Sequence, residues 1–151
     1  MAYSEIEQIS SDLDVFFTDG VKLIHFASGG GRLPERLIDS DVYNENTLSY
    51  IIGMNAFEYP DVEIEINPNL QEILNLELEE INSYLGDFIQ FAKRGLYTYD
   101  KTKLGEFDDF TFHLVARPKN IRIKEFYSLS LINANIELPN SFTTFNLKNY
   151  I

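Results

Sequence analysis

Apolar residues recur at steps of three and four from Leu70 to Ala92: Leu70, Ile73, Leu74, Leu78, Ile81, Leu85, Phe88 and Ala92. A repeat near 3.6 residues places them on one stripe, so the spacing predicts a helix of about 25 residues over 69–94 with one buried face. Glu72, Glu77, Glu79, Glu80 and Asp87 fall mostly off that stripe. Asn67-Pro68 is suited to an N-cap followed by proline at the first helical position, and Asn69 with Glu72 offers a competing start. Lys93-Arg94-Gly95 ends the pattern with cations at the negative pole and a glycine for the left-handed C′ position. A helix with one apolar stripe must lay it against another layer, and that requirement organises the rest of the chain.

The other segments supply strands. Ile6, Ile9 and Leu13 share helical spacing and predict a short N-terminal helix. Val15-Phe16-Phe17-Thr18, then Asp19-Gly20, then Val21 to Ala27 reads as a β-hairpin, because Asp-Gly favours the positive φ of a two-residue turn. Residues 44–57 read as a helix, with Leu48, Ile51, Ile52 and Ala56 on one side. Val62-Glu63-Ile64-Glu65-Ile66 alternates as a half-buried strand with its carboxylates toward water. Leu96 to Tyr99, Phe110 to Ala116, Ile121-Arg122-Ile123 and short pieces within 129–147 complete the set. The order predicts an α+β fold: a mainly antiparallel sheet with an N-terminal β-hairpin, packed against one long and one or two short helices. The 151 residues contain no repeat and no linker-like tract, so residues 1–151 are expected to form a single globular domain.

Charge bounds the partners. Twelve Lys+Arg against 24 Asp+Glu leave a net charge of −12. Affinity for nucleic acid comes largely from neutralising phosphates with Lys and Arg, so no nucleic-acid partner is expected, and anionic membrane surfaces are disfavoured for the same reason. A basic protein would be steered toward such a surface. The chain has no cysteine, which excludes disulfides and thiolate chemistry and fits a reducing, cytoplasmic setting. The start, Met1-Ala2-Tyr3-Ser4-Glu5, has no basic region and no apolar run, so no signal peptide is expected. No stretch reaches the roughly 18 apolar residues of a membrane helix.

Residue patterns that carry catalytic or metal-binding chemistry are scarce. Gly29-Gly30-Gly31 is followed by Arg32-Leu33-Pro34, which matches neither the phosphate-binding loop nor the dinucleotide fingerprint, and reads as a turning loop. His25 and His113 fall inside strands and form no H-x-H, H-E-x-x-H or H-x-x-E-H pattern, so no metal or cofactor is expected. Paired acids such as Glu63/Glu65, Glu79/Glu80 and Asp108/Asp109 arise by chance in so acidic a chain. No G-x-S-x-G elbow occurs. The many aromatics, 12 Phe and 9 Tyr in all, read mainly as core.

Two segments carry a resemblance. Residues 16–34, Phe16 through His25-Phe26-Ala27-Ser28-Gly29-Gly30 to Pro34, and residues 112–118, Phe112-His113-Leu114-Val115-Ala116-Arg117-Pro118, resemble small bacterial immunity-type proteins of polymorphic or contact-dependent toxin systems. That resemblance implies a protein that neutralises a toxin by binding it, with no catalytic residues to carry over. The main expectation is therefore a non-enzymatic binding protein for a basic toxin or effector. Its candidate contacts are Glu63, Glu65, Tyr97, Tyr99, Asp108 and Asp109. The alternative is a small ligand-binding domain or enzyme with a pocket of His25, Gly29, Gly30, Gly31, Arg32, His113 and Arg117. A structural or regulatory domain, with a homodimer left open, completes the alternatives.

Overall fold

A computed structural model describes residues 2–38, 63–119 and 132–151. The readings over 44–57 and 121–123, and Val62 at the start of its strand, lie outside these residues. In chain order the elements are α1 (Glu5–Ser10), β1 (Asp14–Thr18), β2 (Leu23–Ala27), α2 (Glu35–Ile38), β3 (Ile64–Ile66), α3 (Leu70–Leu74), α4 (Leu78–Tyr84) and α5 (Gly86–Lys93). They continue with β4 (Leu96–Lys101), β5 (Thr111–Pro118), β6 (Ile132–Asn133), β7 (Thr144–Asn146) and a 3₁₀ turn over Leu147–Asn149. Among the described residues seven strands form one sheet in the order β3-β5-β4-β2-β1-β6, with β7 pairing the other half of β5. The β1–β6 and β2–β4 pairs are parallel and the rest antiparallel. This is the expected α+β class with its N-terminal hairpin.

The hairpin differs in its turn. Thr18 pairs with Leu23, so four residues connect the strands. Gly20 takes φ +91, and the Asp19 carboxylate accepts the amides of Val21 (2.9 Å) and Lys22 (2.8 Å). An aspartate that folds back on its own following amides builds a wider turn than the two-residue form.

The long helix is also interrupted. Asn75 sits in the left-handed region at φ 53, and its amide and that of Leu76 both bond the Gln71 carbonyl. Asparagine tolerates that conformation at a helix end. Glu77 is extended, and its amide meets the Glu80 carboxylate at 3.4 Å, which restarts the helix. From Leu78 to Lys93 the backbone bonds continue through Leu85, so α4 and α5 run on as one rod. Apolar spacing alone reads through Asn75, because Leu74 and Leu78 remain four apart. Asn67 does not cap the helix. Its amide oxygen accepts the Asn69 amide, and its Nδ2 donates to the Leu114 carbonyl, both at 2.8 Å. It thereby ties the end of β3 to β5.

Cross-strand partners point to the same side of a sheet, so the registers sort the strand residues into two faces. One carries Val15, Phe17, Ile24, Phe26, Tyr97, Tyr99, Phe112 and Leu114, covered by Leu33, Leu37, Ile136, Leu138 and Leu147. The other lies under α4 and α5. Leu70, Ile81, Leu85 and Val115 form its apolar centre, flanked by Tyr84, Phe88 and Ile89. Phe91 packs against both Phe16 and His25 there. Among the described residues no helix is long and apolar enough to cross a membrane.

Candidate functional site

The helix-covered face carries an unusual row. Asp14 pairs with Ala27, Ala27 with Asp100, and Asp100 with His113, so the four lie side by side across β1, β2, β4 and β5. Ala27 is the small member. Its short side chain leaves a gap between two carboxylates, and Tyr84, Asp87 and Phe88 of the helical rod close over it. Asp12 and Leu104 stand at the mouth. The result is a pocket of about 310 Å³ lined by Asp12, Asp14, Asp87, Asp100, His25 and the aromatic ceiling. Among the described residues no lysine or arginine lines it.

Each wall residue has a defined partner. His25 Nε2 lies 2.7 Å from Asp14 Oδ1, and its Nδ1 is buried with no hydrogen-bonding partner among the described residues. An ionised carboxylate only accepts, so Nε2 carries the proton in this contact. The Asp12 carboxylate accepts the Gly29 amide at 2.8 Å. Asp100 Oδ2 accepts the Tyr84 hydroxyl at 2.6 Å; the same Tyr84 oxygen lies 3.1 Å from His113 Nε2, and Thr102 Oγ1 lies 2.8 Å from His113 Nδ1. One orientation satisfies this chain: Thr102 donates to Nδ1, Nε2–H donates to Tyr84, and Tyr84 donates to Asp100.

Burial sets the protonation of this network. Desolvation pushes the Asp100 carboxyl up to about 7; the Tyr84 hydroxyl opposes the rise, and the charges of Asp12 and Asp14 reinforce it. Desolvation lowers His113 to about 4, so it stays neutral. Tyr84 is raised by burial and then by the Asp100 charge. Asp12 is raised by desolvation, against the pull of the Gly29 amide. Burial is the first cause of all these shifts, and at Asp100 and Asp12 the neighbouring carboxylates add to it. Such a pocket favours a positively charged group. Among the described residues no three carboxylates or imidazoles converge as metal ligands.

The sequence-derived contacts lie elsewhere. Tyr97 is 5 % exposed and Tyr99 0 %, and the Tyr99 hydroxyl donates to the Pro139 carbonyl at 2.8 Å. Both are core residues, because their strand positions face the C-terminal segment; the expectation that they anchor a partner is corrected. Glu63 and Glu65 lie at the β3 edge near Lys119 (3.9 Å) and Arg117 (3.2 Å). Asp108 and Asp109 lie past the opposite end of β5, where Asp108 pairs with Arg32 at 2.6 Å and Asp109 accepts the Thr111 amide at 2.8 Å. About 25 Å of extended chain separates the two pairs, so they form no common patch.

The alternative pocket is assembled only in part. His25 lines the acidic pocket, and His113 stands behind Tyr84. Gly29 meets the rim through Asp12. Arg32 instead stacks on Phe107, and Arg117 stacks on Phe142 and donates to the Asn140 carbonyl. The glycines answer to packing. Gly29 and Gly30 take φ +55 and +73, and a Cβ on Gly31 would stand 2.9 Å from the buried Lys101 side chain. Lys101, 1 % exposed, donates its ammonium to the Asp109 carbonyl under this loop.

Asp12, Asp14, Tyr84, Asp87 and Asp100 were not singled out from the sequence. One signal existed for Asp100: aspartate is depleted from strands, yet it follows Leu96-Tyr97-Thr98-Tyr99 within one. No family model, curated protein or solved structure matches the chain.

Proposed function

We propose that this chain is a non-enzymatic binding protein that masks a basic protein partner, in the manner of the immunity-type proteins its hairpin and β5 segment resemble. The observation that supports this most is the pocket between Asp12, Asp14, Asp87 and Asp100, whose lining holds no lysine or arginine. A lysine or arginine from a partner would supply the missing charge. The net charge of −12 extends the same preference over the surface and speeds encounter with a basic protein.

The test is co-expression with, and binding to, the product of the adjacent gene. A complex that neutralises that product is the expected result. Its association rate should fall steeply between about 0.1 M and about 1 M salt, where the screening length drops from about 10 Å to about 3 Å. A product that neither binds nor is neutralised overturns the reading.

A second reading, a small ligand-binding domain or enzyme, draws on the His25–Asp14 contact and on a carboxyl titrating near neutrality in the same pocket. It requires thermal stabilisation by a small organic cation such as agmatine. Stabilisation by basic protein alone favours the masking role.

A further inference from the structure

We infer that the outward face of α1, together with Leu104, is the docking surface around the acidic pocket, and that it fits a basic partner presenting a lysine or arginine between apolar side chains. This rests on the masking role proposed above and adds which face engages and what pattern it engages.

The first observation is an inverted helix. An amphipathic surface helix turns its apolar residues inward. In α1 the glutamine is inside: Gln8 is buried, its Oε1 accepting the Leu33 amide at 2.8 Å and its Nε2 donating to the Tyr3 carbonyl at 3.1 Å. Ile6 and Ile9 stand 77 % and 53 % exposed. They are three residues apart and so occupy neighbouring positions on one helix surface. The helix is held at its start, since Ser4 and Glu7 cap each other reciprocally and the Tyr3 amide bonds the Ile38 carbonyl at 2.8 Å. The outward isoleucines therefore belong to a fixed element.

The second observation is position. Leu104, 68 % exposed, lines the pocket mouth and touches the loop at Gly29. The Ile9 carbonyl lies against Gly30 of the same loop. The Gly29 amide in turn holds Asp12, a wall of the pocket. Isolated exposed apolar residues need no explanation, whereas Leu104 lines the charged pocket and Ile9 stands three residues before Asp12 on the helix that meets the same loop, so the outward face of α1 continues the surface beside the pocket.

Charge complementarity selects the occupant. A second copy would bring another −12 to this acidic face and be repelled. Lysine and arginine have apolar stems and charged heads, so the stem suits Leu104 while the head reaches the aspartates, and the flanking apolar side chains of the partner would meet Ile6 and Ile9.

The experiment measures fluorescence polarisation of the full chain with three labelled 12-residue peptides: alternating leucine and arginine, alternating serine and arginine, and alternating leucine and glutamate. The leucine–arginine peptide should bind at least about 5-fold more tightly than the serine–arginine one, and the glutamate peptide should not bind. Ile9→Ser with Leu104→Ser should weaken the first peptide by at least about 5-fold while the melting temperature holds, as should Asp87→Asn. If the Ser substitutions leave a bound peptide unaffected, the docking surface is wrong and the masking role stands. If no basic peptide binds and the adjacent gene product does not bind either, both fall. Light scattering that shows a dimer dissolved by Ile6→Ser and Ile9→Ser assigns the face to a second copy and overturns the inference.

Discussion

Replacing Asp100 with asparagine should stabilise this protein, and by an amount that grows with pH. Asp100 is buried beneath the helical rod and titrates near 7, against an ordinary value of 3.8. Its folded pKa is raised, so between those values the folded chain holds a proton that the unfolded chain has released. Stability is therefore lost as pH rises through that window, at about 1.4 kcal/mol per pH unit. The accumulated cost by pH 8 is about 4 kcal/mol, and below about pH 4 it vanishes because both states are protonated. Asparagine keeps the shape and an oxygen to accept the Tyr84 hydroxyl but never ionises. Asp100→Asn should thus be near-neutral at pH 4 and raise Tm by about 10 °C at pH 8. His113 acts in the opposite sense. Its folded pKa of about 4 lies below the ordinary 6.5, so its contribution is lost as pH falls through that range. The wild-type profile blends the two, and the difference between variant and wild type isolates Asp100. Urea denaturation at half-unit pH steps measures it. A difference that stays flat with pH, or an asparagine variant less stable at pH 8, would refute the reasoning.

Four further outcomes can be measured, three at glycines and one at the pocket. Gly105→Ala meets open space at φ +82 and should cost about 1 kcal/mol, the backbone effect alone. Gly29→Ala adds Cβ contacts at 2.8 Å to Leu104 and 3.0 Å to Lys101, so its loss in thermal melts should be the larger. Gly31→Ala should be damaging beside Lys101 and tolerated beside Lys101→Ala, with a coupling of about 1 kcal/mol in a double-mutant cycle; additive losses would show that the two do not compete for space. Affinity for the leucine–arginine peptide should rise from pH 6 to pH 8, as Asp100, raised to about 7, loses its proton and gains charge. Calorimetry in buffers of differing ionisation enthalpy would also detect the released proton, and affinity independent of pH would count against Asp100 facing the cation.

Much of the fold was legible. Apolar runs on either side of Asp19-Gly20 and over 110–116 marked β1, β2 and β5, and the apolar repeat located the helical layer, because turn chemistry and helical period are set by local backbone geometry. The misreadings were local conflicts that pattern alone does not resolve. Asn75 breaks a repeat that its neighbours continue, and Asp19 widens a turn by turning its carboxylate back on Val21 and Lys22. Tyr97 and Tyr99 were candidates for exposure because a strand's buried side depends on what covers it, here the residues around Leu138 and Leu147.

The candidate site was hardly legible at all. Asp14, Ala27, Asp100 and His113 are neighbours only through three strand registers, and register is a tertiary outcome. The inverted face of α1 has the same origin, since Ile6 and Ile9 look like core residues until Leu33 and Tyr3 claim Gln8 instead. The sequence by itself determined the acidity, the absence of thiol chemistry, the α+β class and the helix that covers the sheet, because composition and short-range periodicity suffice for these. Only the tertiary structure decided which acids meet, since long-range pairing alone brings carboxylates from β1, β4 and α5 around one small alanine.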